Sequence, residues 1–186
     1  MHSGVIMTSK GSDCMVSISA LKKRLSDNNT LIVQNEDGNI SEAGFIWNFP
    51  VTLEEIQSFE KNNKIELPIE YIEFLQISNG AILFKDMEYG QWGCKILGLN
   101  EILAVTNELK QYGLQLKPFY IPFATWLGDG DVLLFSMDKY KTDRKNYIID
   151  GDEGYRADEW EYINGNFKKW LDRLIVAQGA KYWRWY

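Results

Sequence analysis

The stretch ELPIEYIEFLQISNGA, Glu66 to Ala81, decides how the rest of the chain is read. Pro68 suits the first turn of a helix, where the N–H it lacks has no partner in any case. Ile69, Ile72 and Leu75, or Tyr71, Phe74 and Leu75, fall at helical offsets and give one apolar face. Ile77-Ser78-Asn79-Gly80 supplies a left-handed exit. Just upstream, Thr52 is followed three residues later by Glu55, the pairing of a capping box, with Leu53, Ile56 and Phe59 sharing a face behind it. Asn62-Asn63 ends that helix. The spacing therefore predicts two consecutive helices with explicit starts and stops.

Outward from this pair, ISALKKRLSDNN (Ile18 to Asn29) reads as a helix ending in turn formers. Leu31 to Val33 and Phe45 to Phe49 read as short strands, with Glu36-Asp37-Gly38 as a turn. Downstream, AILF and CKILGL read as strands, and a helix runs from about Glu101 to Tyr112, ending at Gly113. YIPFATWL and VLLFSM flank Gly128-Asp129-Gly130-Asp131, a hairpin signal. NYIID is a further strand. In NGNFKKWLDRLIVAQG, Phe167, Trp170, Leu171 and Leu174 line one face of a final helix. Helices first, strands in the middle and a helix last make the fold α+β, and 186 residues without a repeat or a Pro/Ser linker make it a single domain.

Composition excludes several chemistries. The only histidine is His2, so neither a Ser-His-Asp or Cys-His machine nor a His-rich zinc site is expected, and Cys14 and Cys94 are too few for a structural one. Neither GxxxxGK[ST] nor GxGxxG occurs, so the usual phosphate-cradling loops are missing and no cofactor is expected. No run approaches ~18 apolar residues and no secretory h-region is present, which places the chain in the cytoplasm with reduced thiols. The net charge of −6 disfavours direct nucleic-acid binding and suits a basic partner. The 7 Trp, 10 Tyr and 9 Phe serve cores and also anchor interfaces. Residues 1–16 are small and polar and read as a disordered leader or a start-site artefact.

Three pieces occur in order: TLEEIQSFEKNNKIELPIEYIEFLQISNG (Thr52 to Gly80), IPFATWLGDGDVLLFSMD (Ile121 to Asp138) and INGNFKKWLDRLI (Ile163 to Ile175). The first resembles the T-x-x-E-I-x-x-F-E … L-P-x-x-Y-x-x-F-L-x-x-x-N-G signature of the SUKH superfamily, the group of the fungal Smi/Knr cell-wall regulators and many bacterial immunity proteins. The second resembles its "PFA … G-D … FD" hairpin and the third its closing Phe-containing helix. The likeness covers roughly Phe45 to Val176, about 70% of the chain. It implies a central, mostly antiparallel sheet flanked by N-terminal and C-terminal helices, no enzymatic chemistry, and neutralisation of a cognate toxin, often a nuclease, by direct binding. The domain plan is then a 17–44 extension of helix and strand, a Smi/Knr-like domain over 45–180, and an aromatic tail over 181–186. The motif residues Thr52, Glu55, Pro68, Tyr71, Phe74, Leu75, Asn79 and Gly80 read as scaffold on physical grounds, so they do not locate the partner surface.

Charge does so better. DGDEGYRADEWE (Asp150 to Glu161) sets six acidic residues against Arg156 alone, nearly the whole of the chain's net charge. KYKTDRK (Lys139 to Lys145), just before it, is mostly basic. The plain reading is a solvated loop that aids solubility. The functional reading is a toxin-facing surface formed by Asp150, Asp152, Glu153, Tyr155, Asp158, Glu159, Trp160 and Glu161, with carboxylates imitating phosphates and aromatics as anchors. A calcium loop counted from Asp150 fails at its fifth and sixth positions, Gly154 and Tyr155, and no metal is expected. An enzyme would need Asp129, Asp131, Asp150 and Asp152 to converge in a cleft, and a regulatory scaffold or adaptor is the remaining alternative. The tail KYWRWY is expected to pack back onto its own domain, the alternative being an exposed patch for dimerisation.

Overall fold

The structure, a computed structural model, describes residues 13–35, 37–114 and 116–185. Its elements are α1 (Asp13–Arg24), β1 (Thr30–Gln34), β2 (Ile40–Trp47), α2 (Leu53–Asn63), α3 (Ile69–Leu75), β3 (Ala81–Asp86), β4 (Cys94–Ile96), α4 (Leu99–Gln111), β5 (Tyr120–Trp126), β6 (Val132–Ser136), α5 (Met137–Thr142), β7 (Ile148–Gly151), β8 (Glu161–Ile163) and α6 (Phe167–Val176). A short 3-10 turn, Tyr182–Arg184, follows. Of the segment 1–16 expected to be a leader, residues 1–12 lie outside the described residues, as do Glu36 of the expected turn and Tyr186 of the tail.

The helix pair forms as its caps dictate. The Glu55 N–H donates to Thr52 Oγ1 at 3.2 Å and the Thr52 N–H donates to Glu55 Oε2 at 2.7 Å, closing the capping box of α2. Pro68 stands one residue before α3, and its carbonyl accepts from the Tyr71 and Ile72 N–H groups. The exit differs from expectation. α3 stops at Gln76 in right-handed conformation, where the Ile77 and Ser78 N–H groups both close onto the Phe74 carbonyl. The left-handed residue is Gly80, at φ +85°, and a Cβ there would lie 2.7 Å from the Gly98 nitrogen. Asn79 does not end α3. Its Oδ1 accepts the Leu99 N–H at 2.9 Å and so caps α4 instead.

Among the described residues the eight strands form one sheet in chain order, every neighbouring pair antiparallel. This is the expected α+β single domain. β2 begins at Ile40, earlier than its predicted start at Phe45, because residues 40–44 pair with β1. It thereby joins the N-terminal strand pair to the rest of the sheet. It also ends at Trp47, leaving Phe49 93% exposed. α5 and β8 were not expected at all.

Period-two alternation assigns the two faces. Leu133, Phe135 and Ile148 belong to the main core, with Ile18 and Leu21 of α1, Tyr71 and Phe74 of α3, and Phe167 and Trp170 of α6. Val132, Leu134 and Ile149 face the other way, onto Leu109 of α4. At the centre of the main core Phe123 stacks on Phe135 at 4.0 Å between centroids, and Tyr71 sets its edge against Phe135 and Phe167 at 5.2 Å. A bulge in β3 opposite Phe45 turns the successive residues Leu83 and Phe84 both inward, with Phe84 at φ +56°. The free edge of β1 is blunted: the Thr30 N–H donates to Ser26 Oγ at 3.1 Å and the Gln34 N–H to Gln178 Oε1 at 2.9 Å.

Candidate protein-binding cleft

The acidic segment is the connection from β7 to β8, at the end of the sheet opposite β1. Asp150 is still in β7, paired with Glu161 of β8, so both carboxylates leave the same face of the sheet. The loop between them is pinned to the β5–β6 hairpin. The Glu153 N–H donates to Asp131 Oδ1 at 2.9 Å, and the Glu153 carboxylate accepts the Gly130 N–H at 3.0 Å. The Trp160 indole N–H closes the loop on the Asp152 carbonyl at 3.0 Å, while its ring packs beside Leu134 and Ile149.

The tail folds back onto this end of the domain, as the sequence led one to expect. Lys181 reaches Asp129 at 2.8 Å and also Asp131, and its ammonium lies 4.9 Å from the Trp126 ring centre and 5.3 Å from that of Trp92. Arg184 holds Asp150 through two bonds of 2.7 and 2.8 Å, Asp131 at 2.7 Å and Asp152 at 3.0 Å. The Trp183 indole donates to Asp150 at 2.9 Å, and its ring stands edge-on to Trp126. Burial pushes the Asp131 carboxyl up, but Lys181, the Glu153 N–H and Arg184 outweigh it and hold the group below the usual carboxylate range.

Between the β7–β8 loop and the tail lies a cleft of about 710 Å³. Six of the eight residues expected to face a partner line it: Asp150, Asp152, Tyr155, Glu159, Trp160 and Glu161. Glu153 and Asp158 do not. Asp158 is exposed and forks onto Arg156, with both bonds at 3.1 Å. Asp150 and Asp152 line the cleft with their charge already met by Arg184, and Trp160 is half-buried. Besides Asp158, the exposed carboxylates of this segment are Glu153, which accepts the Gly130 N–H, Glu159, which accepts the Arg156 N–H, and Glu161, and Tyr155 is its exposed ring at 62%.

Arg173, Tyr182, Trp183 and Arg184 form the far wall; the sequence reading took the tail as packing or dimerisation surface and did not place these residues in the partner-binding site. A signal existed. Two Asp-Gly-Asp tripeptides, at 129–131 and 150–152, are matched by the Lys and Arg of KYWR, three residues apart. The four aspartates named for an enzyme thus do come together, but around two cations of their own chain. Among the described residues no group of three or more His, Cys, Asp or Glu is arranged to hold a metal ion. The calcium-loop donors are diverted in the same way, since Asp150 and Asp152 both bind Arg184.

This sheet, helix pair and closing helix define a class of protein. Residues 50–173 match the SMI1 / KNR4 family (SUKH-1), and the chain belongs to that family. It is similar to the Uncharacterized protein YobM of Bacillus subtilis (strain 168), at 31% identity over 174 residues that cover 90% of this chain and 89% of that one. The family match contains the β7–β8 loop and ends at residue 173, before the tail. No helix among the described residues is long and apolar enough to cross a membrane.

Proposed function

We propose that this protein is a non-enzymatic binding domain, an immunity protein that neutralises a cognate toxin in the cytoplasm by direct contact. The observation that carries this reading is the cleft beside β8. It gathers exposed carboxylates, Glu159 and Glu161, with exposed aromatic surface from Tyr155 and Tyr162, in a chain of the SMI1 / KNR4 family. Aromatics give an interface its anchoring area, and rim charge steers encounter. The partner fitted by that chemistry is a basic protein surface such as a nuclease's substrate groove, which is positive because it binds phosphates. A nucleic acid or a membrane does not suit this anionic face.

Glu153, Glu159 and Glu161 supply the steering charge in this reading, and Tyr155 the anchor. Asp150, Asp152 and Asp158 act on the shape of the face, because Arg184 and Arg156 already meet their charge. The carboxylate-dependent enzyme loses its support here, since Lys181 and Arg184 occupy the position its metal or acid/base pair needs. The test begins with the neighbouring genes: where one encodes a toxin domain, that domain is co-expressed with this protein. Protection of the cell and a purified complex of the two are expected. A toxin that kills equally in the presence of the folded protein, with no complex formed, leaves a regulatory adaptor in its place.

A further inference from the structure

The tail is attached to the domain in an unusual way. Among the described residues its backbone N–H groups bond locally: Ala180 N–H to the Ala177 carbonyl, Tyr182 N–H to Ala180, Arg184 N–H to Lys181 and Trp185 N–H to Tyr182. What binds it to the β5–β6 and β7–β8 ends is side-chain chemistry, namely two cations, four aspartates and aromatic faces. It leaves α6 through Gln178 at φ +53° and Gly179 at φ +91°, two left-handed residues in succession. Gly179 sits where a Cβ would lie 2.6 Å from the Phe84 Cβ, so the turn rests directly on the strained bulge of β3. Tyr182, Trp183 and Arg184 then form one wall of the cleft.

We propose that the tail is an occupant, in cis, of a receptor surface for basic, aromatic-flanked segments. A partner segment carrying Lys and Arg three residues apart engages that surface by displacing it. The surface comprises Asp129, Asp131, Asp150 and Asp152 with Trp126 and Trp92, and the tail shows the chemistry that fits it. Lys181 takes a place between two indoles and two carboxylates, and Arg184 a place among three carboxylates. Release of the tail frees four aspartates from their cations, two of which, Asp150 and Asp152, line the cleft, so the face becomes more anionic as a basic partner arrives. A closed tail also lowers apparent affinity by the fraction of molecules in which it is open. The inference rests on the reading of this end of the sheet as a partner-binding face. Its test uses no toxin, so the two fail separately.

The probe is a synthetic peptide with the sequence of residues 180–185, Ala-Lys-Tyr-Trp-Arg-Trp, and a control peptide with Met in place of Lys and Arg. Titrated into the intact chain, the first peptide should shift the Trp183 indole N–H signal in NMR, and the control should not. The double variant Lys181→Met/Arg184→Met should bind the first peptide at least ~10-fold more tightly than the parent, with affinity falling as salt rises. A Trp183 signal unmoved at saturating peptide overturns the proposal. So does a folded double variant that binds no better than the parent. Should the variant not fold, the Trp183 titration decides alone.

Discussion

Phe74 and Thr52 show how differently two residues of one motif act. Phe74 is fully buried against Tyr71 and Phe167, and Phe74→Ala should cost about 3–5 kcal/mol through lost transfer energy and the cavity it leaves. Thr52 is exposed and its hydroxyl acts only through its capping bonds with Glu55, so Thr52→Ala should cost about 1 kcal/mol. Asn79→Ala belongs with Thr52 at about 1 kcal/mol, because its Oδ1 caps α4. Denaturant midpoints at constant slope check all three. The capping box was legible because both of its partners lie within four residues. The role of Asn79 was not, since Leu99 stands 20 residues away and nothing local announces it. The same limit applied in the cleft. Tyr155 and Trp160 look alike in sequence, yet Trp160 is tied to the Asp152 carbonyl and Tyr155 is free of the core. Tyr155→Ala should therefore weaken toxin binding by about 2 kcal/mol with an unchanged melting temperature. Loss of melting temperature would assign the ring to the scaffold.

Elements were legible where their pattern is long and amphipathic, as in α6, and illegible where it is short and charged. β8 has three residues, two of them exposed, inside a run of carboxylates, and its alternation is too brief to read. α5 has six residues and lies in a segment whose basic side chains drew attention away from Met137 and Tyr140, its two buried positions. The tail is the element whose chemistry allows a pH test. The Asp131 carboxyl is held below its ordinary value, so it contributes stability above its unfolded pKa of about 3.9, and that contribution is lost as pH falls through the lower folded value. Arg184 remains charged throughout. Its guanidinium is shifted upward, first by its bonds to Asp150. The tail should thus loosen below about pH 4, seen as a change in tryptophan fluorescence from Trp126 and Trp183. Lys181→Met should abolish much of that acid transition. At neutral pH it should also cost about 3 kcal/mol, because Asp131, 8% exposed, then lacks its closest cation. An acid profile identical in parent and variant would separate the tail from Asp131.

At the scale of the whole molecule the α+β class was legible from element order, since every helix but α5 and most strands carry their own signals. The sheet's strand order was not, because pairing of β2 with β3 across two helices is a tertiary choice. The two ends of the sheet are treated differently. At β1, Ser26 and Gln178 take the outward N–H groups of Thr30 and Gln34, which guards against strand addition. At β8 the chain instead sets a cleft, an acidic loop and its own basic tail. The concentration of charge in residues 150–161 was visible in the sequence. Its division into carboxylates held internally and carboxylates left outward was not, since that depends on Arg184, more than 30 residues from Asp150. The central claim is that the outward set steers a basic partner. Its most direct measurement is association kinetics of the cognate toxin domain with the parent and with Glu153→Gln/Glu159→Gln/Glu161→Gln, across a salt series. The account predicts association at least ~10-fold slower for the variant at low salt, the difference shrinking as salt screens the field. Equal association rates for the two proteins at every salt concentration would contradict it.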